Sequence, residues 1–172
     1  QLLQDKYEEG LKLVAIGPSS KLFEHAGIKV ESIPALPYEE FRGFMKGLSN
    51  LIGLIPLDVS LFSSCKSPIK FFDYSIAQVP SICANVPPYS DYVVHGQTGL
   101  LVDNTAQAWL NAIESLVKSS SERRRLSDAA REYVILTHLE DKAGDAWQIV
   151  IEKLEIQRVA APGLIKAAKK PF

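Results

Sequence analysis

At 172 residues the chain is long enough to bury the hydrophobic core of one domain. Its hydrophobic fraction of 47% and charged fraction of 23% are typical of a globular protein. A net charge of −1 gives no reason to expect a nucleic-acid partner or an anionic membrane surface. The longest apolar runs, such as 51–57, are far shorter than the roughly 20 residues of a membrane-spanning helix, so we expect no transmembrane segment.

The two cysteines, Cys65 and Cys83, have no spacing typical of a metal site. Two free thiols indicate a reducing compartment, so we expect a cytoplasmic location and no structural zinc. The chain starts at Gln1, in a segment that already has a helical pattern. We therefore expect it to be part of a longer protein.

Short apolar segments predict five β-strands, at 12–17, 29–34, 50–57, 81–84 and 99–102. Amphipathic spacing predicts helices at 38–48, 67–78, 106–119, 122–136 and 139–159. This order predicts an α/β fold with a doubly wound, mostly parallel sheet, followed by C-terminal helices. We predict one Rossmann-like domain over residues 1–159. Residues 160–172 contain three lysines and no acid, and predict a loose basic tail.

The segment 65–80, CKSPIKFFDYSIAQVP, is the most informative part of the chain. It predicts a helix that opens directly behind a buried strand, with Ser67 as its cap and Pro68 in its first turn. The backbone N–H groups at such an N-terminus are suited to bind an anion. Lys66 lies just before the helix and Lys70 in its first turn, where a cation is unfavourable unless it serves a ligand or an acid.

Other candidate residues follow the ends of predicted strands. Gly17 and Pro18 follow the first strand, while Pro87 and Tyr89 follow the fourth. Open α/β sheets bind ligands outside the carboxyl ends of their strands. These loops are therefore candidates to line the same site.

Several motifs, in the right order, resemble a known family. SPIKFFDYSIAQVPSI is similar to the K-x-x-E-Y-x-A-x-G-x-P-x-I signature of retaining, GT-B-type glycosyltransferases of group 1 (family 4). VVHGQTGLLVDN resembles that family's V-x-x-G-x-N-G-x-L-V turn and strand. With the helix pair that follows, the resemblance covers roughly residues 11–134. It implies the C-terminal, donor-binding half of a GT-B enzyme, truncated at its N-terminus.

The resemblance also implies roles for individual residues. The family's E-x7-E motif places one acid on the donor sugar and a second on the nucleotide ribose. Asp73 matches the second acid, whereas Cys65 stands at the first, eight residues earlier. We therefore assign no catalytic residue. The implied nucleotide-binding residues are Asp73, Lys70, Ser67, Pro68, Lys66 and Ile69.

The function implied is transfer of a sugar from a nucleotide diphosphate-sugar to an acceptor with retention, by a hexosyltransferase-like enzyme of polysaccharide biosynthesis. No Asp-x-Asp pattern occurs in the chain, which fits a metal-independent transferase without a cofactor. The acceptor would be bound by an N-terminal domain of the same protein, so we expect this chain alone to be inactive. Two alternatives stay open, half of a nucleotide-sugar epimerase and a non-catalytic binding module. Cys65 in place of glutamate favours the binding module.

Overall fold

The structure is a computed structural model that describes residues 2–7, 10–18, 23, 25, 28–48 and 50–138. The chain divides into two compact units, Gln1–Glu132 and Tyr133–Phe172. The described part of the second unit is the C-terminal end of one helix. The predicted helix at 139–159 and the predicted tail at 160–172 lie outside the described residues.

The predicted strands and the predicted helices up to residue 136 are present, with small differences in their bounds. The strands are β1 Val14–Ile16, β2 Glu31–Ile33, β3 Gly53–Ile55, β4 Ser81–Ala84 and β5 Leu100–Val102. The helices are α1 Leu2–Tyr7, α2 Tyr38–Gly47, α3 Leu61–Ser64, α4 Ile69–Ile76, α5 Tyr89–Tyr92, α6 Ala106–Lys118 and α7 Ser120–His138. The single turns α3 and α5 lie outside the helices predicted from the sequence. None of the helices described is long and apolar enough to cross a membrane.

All strand pairs in the described residues are parallel, which confirms the predicted α/β class. β1 pairs with β2, and β4 lies between β3 and β5 in a second sheet. In that sheet Ile55 is opposite Cys83, and Cys83 is opposite Leu101. Every residue of β4 is buried, as expected for a central strand covered on both faces.

The core of the first unit lies between the three-stranded sheet and the helices α6 and α7. Its buried residues come from β4, β5 and both helices, and they are Ile82, Val102, Ala112, Leu116 and Leu126. Trp109 packs against this cluster from α6. Burial of these side chains fixes the sheet, and with it the strand ends that precede α4 and α5.

A polar contact attaches α1 to α6. The Lys6 ammonium pairs with the carboxylate of Glu114, which also accepts a hydrogen bond from the Tyr7 hydroxyl at 3.1 Å and lies 3.2 Å from Lys118 Nζ. Hydrogen bonds from Lys6, Lys118 and Tyr7, in that order, lower the pKa of Glu114 to about 2. The folded protein therefore favours the ionised carboxylate.

This contact predicts a loss of stability in acid. Because the pKa of Glu114 falls from 4.5 to about 2 on folding, its contribution is complete above pH 4.5 and disappears as the pH falls through about 2. We expect Glu114→Gln to lower the free energy of unfolding at pH 7, and this deficit to shrink steadily between pH 4.5 and 2. Urea denaturation over a pH series measures it. Glu132→Gln, at an exposed position of α7, is the control, and an equal Glu114→Gln deficit at pH 7 and pH 2.5 would contradict the prediction.

Candidate functional site

The candidate site is built around the N-terminus of α4. Pro68, with φ −79° and ψ 27°, is the N-cap residue, and no side chain caps the helix. The predicted Ser67 cap is therefore wrong, because the chain enters the helix one residue later. The Pro68 carbonyl oxygen accepts hydrogen bonds from the backbone N–H groups of Phe71 at 2.9 Å and Phe72 at 3.2 Å. The preceding N–H groups, of Ile69 and Lys70, have no acceptor in the described part of the chain and are available to a ligand.

The two faces of α4 have different roles. Phe71 and Ser75 are fully buried, and the Ser75 hydroxyl donates to the Phe71 carbonyl oxygen at 2.7 Å. Ile69 and Lys70 are exposed on the other face, and Asp73 is partly exposed one turn further along. Positions three and four residues apart share a helix face. The helix is thus anchored by its apolar side and presents a lysine and an acid on its accessible side.

A cleft of about 370 Å³ opens at this helix N-terminus. Its lining comes from three segments: the residues after β3, the start of α4 and the residues after β4. The lining residues are Pro56, Leu57, Lys66, Ser67, Ile69, Lys70 and Tyr89. The lining includes two lysines and no acidic residue. An open cleft of this kind, with free backbone N–H groups beside it, is suited to a ligand that carries negative charge.

The structure brings together five of the residues predicted from the sequence: Lys66, Ser67, Ile69, Lys70 and Tyr89. Their proximity follows from the parallel sheet, because β3 and β4 are neighbours and both end at this edge. Their role in binding stays a prediction.

Three predicted residues of the α4 region do not line the cleft. Cys65 is an exposed free thiol at the C-terminal end of α3. Pro68 is buried beneath the helix start. Asp73 lies about 6 Å beyond Ile69 along the axis of α4, at 1.5 Å per residue.

The predicted loop residues of the other strands also lie outside the lining, with the exception of Tyr89. Gly17 follows β1, adopts a φ of +89°, and donates its N–H to the Ile33 carbonyl oxygen at 2.9 Å. Pro18 follows it and is exposed. Both belong to the end of the two-stranded sheet. Pro87 is exposed, and its peptide bond to Pro88 is cis.

Tyr89 contributes a polar group to a largely apolar wall of the cleft. Its side chain is only 4% exposed, and burial raises its pKa to about 12. Its hydroxyl therefore stays protonated at neutral pH. No described residue hydrogen-bonds to that hydroxyl, so it can donate to a ligand oxygen in the cleft.

Asp73 has a different partner from the one its spacing suggests. Its Oδ1 atom accepts a hydrogen bond from the Tyr38 hydroxyl of α2 at 2.7 Å. No ion pair joins it to Lys70 among the residues described. The hydrogen bond to Asp73 raises the pKa of Tyr38. The Arg42 guanidinium lies 5.8 Å from the centroid of the Tyr38 ring.

The segment before α4 is held by its own hydrogen bonds. The Ser60 hydroxyl caps α3 by accepting the N–H of Ser63 at 3.1 Å, and the Ser63 hydroxyl donates to Asp58. Hydrogen bonds from Ser63 and Ser60 lower the pKa of Asp58. Lys66 Nζ lies 4.9 Å from the centroid of the exposed Phe62 ring. The lysine head therefore lies near the Phe62 ring, which is not part of the cleft lining.

Sequence reasoning missed three residues of this region. Pro56 and Leu57 directly follow β3, and the strand-end argument that selected Pro87 and Tyr89 applies equally to them. Tyr38 opens α2, 35 residues before Asp73. No local pattern in the sequence relates these two side chains.

Known structures share this fold. The C-terminal domain of a glycosyl transferase group 1 family protein (LpcC) from Francisella tularensis matches with a TM-score of 0.60 at 14% identity, over 81% of this chain and 75% of that one. Sucrose-phosphate synthase from Thermosynechococcus elongatus matches with a TM-score of 0.63 at 18% identity, over 87% of this chain and 39% of that one. TarM from S. aureus matches with a TM-score of 0.64 at 14% identity, over 85% of this chain and 30% of that one.

The fold is that of the C-terminal domain of GT-B glycosyltransferases. Residues 65–133, which include α4 and the cleft residues from Lys66 onward, match the family model described as glycosyl transferases group 1. This match confirms, over residues 65–133, the resemblance to group 1 glycosyltransferases that was drawn from the sequence. This chain spans 39% and 30% of the two longer structures it matches.

Proposed function

We propose that this chain is the donor-binding domain of a retaining glycosyltransferase and that the cleft holds the diphosphate of a nucleotide diphosphate-sugar. The observation that carries the proposal is the cationic cleft at the uncapped N-terminus of α4. Lys66 and Lys70 line it, and the N–H groups of Ile69 and Lys70 are free. The TarM structure from S. aureus was obtained with UDP, which supports a nucleoside diphosphate as the ligand of this fold.

The proposed diphosphate site suits the chemistry of sugar transfer. When the bond between the sugar's anomeric carbon and the diphosphate oxygen breaks, the leaving diphosphate takes the electron pair. An acceptor hydroxyl provides the new oxygen, and its proton passes to the departing diphosphate. Donors that are already oriented towards the leaving group stabilise its growing charge. The free N–H groups and the two lysines provide such donors, and the Tyr89 hydroxyl can provide one more.

Asp73 is proposed to bind the ribose. It lies on the same accessible face of α4 as Lys70, one turn further along. A nucleotide whose phosphates occupy the cleft can place its ribose against this turn. A carboxylate accepts hydrogen bonds from sugar hydroxyls, as family acids at this position do.

The remaining features of the proposal concern the whole enzyme. An N-terminal domain would bind the acceptor, and the complete protein would act in polysaccharide biosynthesis in the cytoplasm, transferring a hexose. The cationic lining can balance the diphosphate charge, so the proposal needs neither a metal ion nor a resident cofactor. No catalytic residue is assigned to this chain.

A second candidate is a domain that binds nucleotides without transferring sugar. Cys65 favours it, since this thiol replaces the family's first acid and is exposed outside the cleft lining. The two candidates share the diphosphate site. They differ in whether the complete protein transfers sugar from a radiolabelled donor.

The diphosphate site predicts a charge-specific loss of affinity. We expect UDP, GDP or ADP to bind the chain, and the double variant Lys66→Ala/Lys70→Ala to bind at least about tenfold more weakly, because two charge-assisted hydrogen bonds are lost. Isothermal titration calorimetry measures the affinity. Lys12→Ala/Lys46→Ala removes the same charge from two exposed positions outside the lining and is expected to bind as the wild type does. No binding of any nucleoside diphosphate, or equal losses in both double variants, would contradict the proposed site.

A further inference from the structure

The hydrogen bond between Tyr38 and Asp73 joins two helices across the accessible side of the domain. Tyr38 is the first residue of α2, and its side chain is 54% exposed. Its hydroxyl donates to Asp73 Oδ1 at 2.7 Å, an ordinary distance for a hydrogen bond from a hydroxyl group to an oxygen atom. This hydrogen bond restricts the carboxylate of Asp73 to one orientation.

The bond occupies only half of the carboxylate. Asp73 Oδ2 accepts no hydrogen bond from any described residue, and Lys70, three residues away, does not pair with it. One oxygen is therefore fixed by the protein and the other is available. A carboxylate held in this way can accept a hydroxyl proton from a ligand without first losing rotational freedom.

We propose that Tyr38 is a positioning residue that holds Asp73 so that Oδ2 accepts a hydrogen bond from a ribose hydroxyl, and that this pair makes the site select ribonucleotides over deoxyribonucleotides. The inference rests on the proposed function, since it assigns a residue to the nucleoside end of that site. It adds a residue from α2, which lies outside the segment matched to the family.

The side-chain length of Asp73 gives a reason for this arrangement. Aspartate is one methylene shorter than the glutamate of the family motif, so it reaches less far from α4. The Tyr38 hydroxyl approaches from α2 and fixes one oxygen, which leaves the other directed away from that bond. The hydroxyl is a donor at neutral pH, since a tyrosine ionises only at about pH 10, and the hydrogen bond to Asp73 raises the pKa of Tyr38 further.

The ratio of the affinities for ribonucleotides and deoxyribonucleotides tests the inference. We compare a nucleoside diphosphate with its 2′-deoxy and 3′-deoxy analogues. We expect the wild-type chain to bind the nucleoside diphosphate about tenfold more tightly than whichever analogue binds more weakly. A roughly tenfold ratio corresponds to the loss of one hydrogen bond to a charged group. Tyr38→Phe is expected to reduce this ratio to near one, as is Asp73→Asn. In the double variant the ratio should fall no further, because both changes remove one interaction. Isothermal titration calorimetry with all three nucleotides gives the ratios.

Tyr7→Phe is the matched control. It also removes a tyrosine hydroxyl bound to a carboxylate, at the contact of α1 with Glu114, and should leave the ribose preference unchanged. Thermal unfolding of each variant shows whether it folds. If the wild type binds no nucleoside diphosphate, the proposed function fails and this inference fails with it. If the wild type shows no ribose preference, or Tyr38→Phe keeps it, this inference alone is overturned.

Discussion

Phe71→Ala is expected to lower the free energy of unfolding by about 3–5 kcal/mol, the range for loss of a buried phenylalanine. The Phe71 side chain is completely buried, and its ring lies 6.0 Å from that of Phe72. Truncation removes apolar surface from the core and leaves a cavity that the surrounding sheet and helix fill only in part. Phe71 is also the residue that fixes the buried side of α4, so Lys70 and Asp73 lose their placement when it is removed.

Phe62→Ala provides the comparison, since the same substitution is made at a side chain that is 75% exposed. We expect it to change stability by less than about 0.5 kcal/mol, as surface substitutions usually do. Urea denaturation of both variants measures the difference. Similar losses in the two variants would mean that α4 is not anchored by Phe71.

The position of α4 could be predicted from sequence because the signals for it are local. Apolar residues at helical spacing and the Ser-Pro pair predict a helix over 67–78, and the structure has Ile69–Ile76. The shared edge of the strands that precede α4 and α5 follows from the rule for parallel sheets. That rule is why Tyr89, chosen from its place after a strand, lies in the same cleft as Lys66 and Lys70.

The partner of Asp73 could not be predicted in this way. An exposed i,i+3 pair with Lys70 is worth only about 0.2–0.5 kcal/mol, so a better partner from elsewhere in the fold can replace it. Tyr38 is that partner, and it is brought close by the fold of the chain between the two residues rather than by sequence spacing. Prediction of this contact needs the relative placement of two helices that are separated by β3.

Arg123 is a second residue whose partners could not be predicted from the sequence, and it lies away from the cleft. The arginine run at 123–125 is typical of a solvated helix face. In the structure, Arg123 Nη1 donates to the carbonyl oxygens of Leu116 at 2.5 Å and Val117 at 3.1 Å, and so satisfies the C-terminal end of α6. Those acceptors are backbone carbonyl groups. Every residue has one, so a sequence pattern cannot show which of them a side chain will bind.

A second large effect is expected where β3 meets α4. Gly53 is the first residue of β3, and a Cβ atom there would lie 2.3 Å from Cδ2 and 2.5 Å from Cε2 of the Tyr74 ring. The third near atom is Cγ of the same ring, at 3.1 Å, so the contact involves the rigid base of the side chain and not the far end of a flexible one. We expect Gly53→Ala to lower the free energy of unfolding by about 1–3 kcal/mol through overpacking.

The control for this variant is Gly43→Ala, in the middle of α2. Nothing lies within 4 Å of a Cβ atom at Gly43, so alanine there should stabilise the chain by about 0.5–1 kcal/mol through its higher helix propensity. A double-mutant cycle with Tyr74→Ala separates the clash from other effects, because Gly53→Ala should cost much less once the ring is absent. If Gly53→Ala costs the same in both backgrounds, the close approach of β3 to Tyr74 is not what requires glycine at this position.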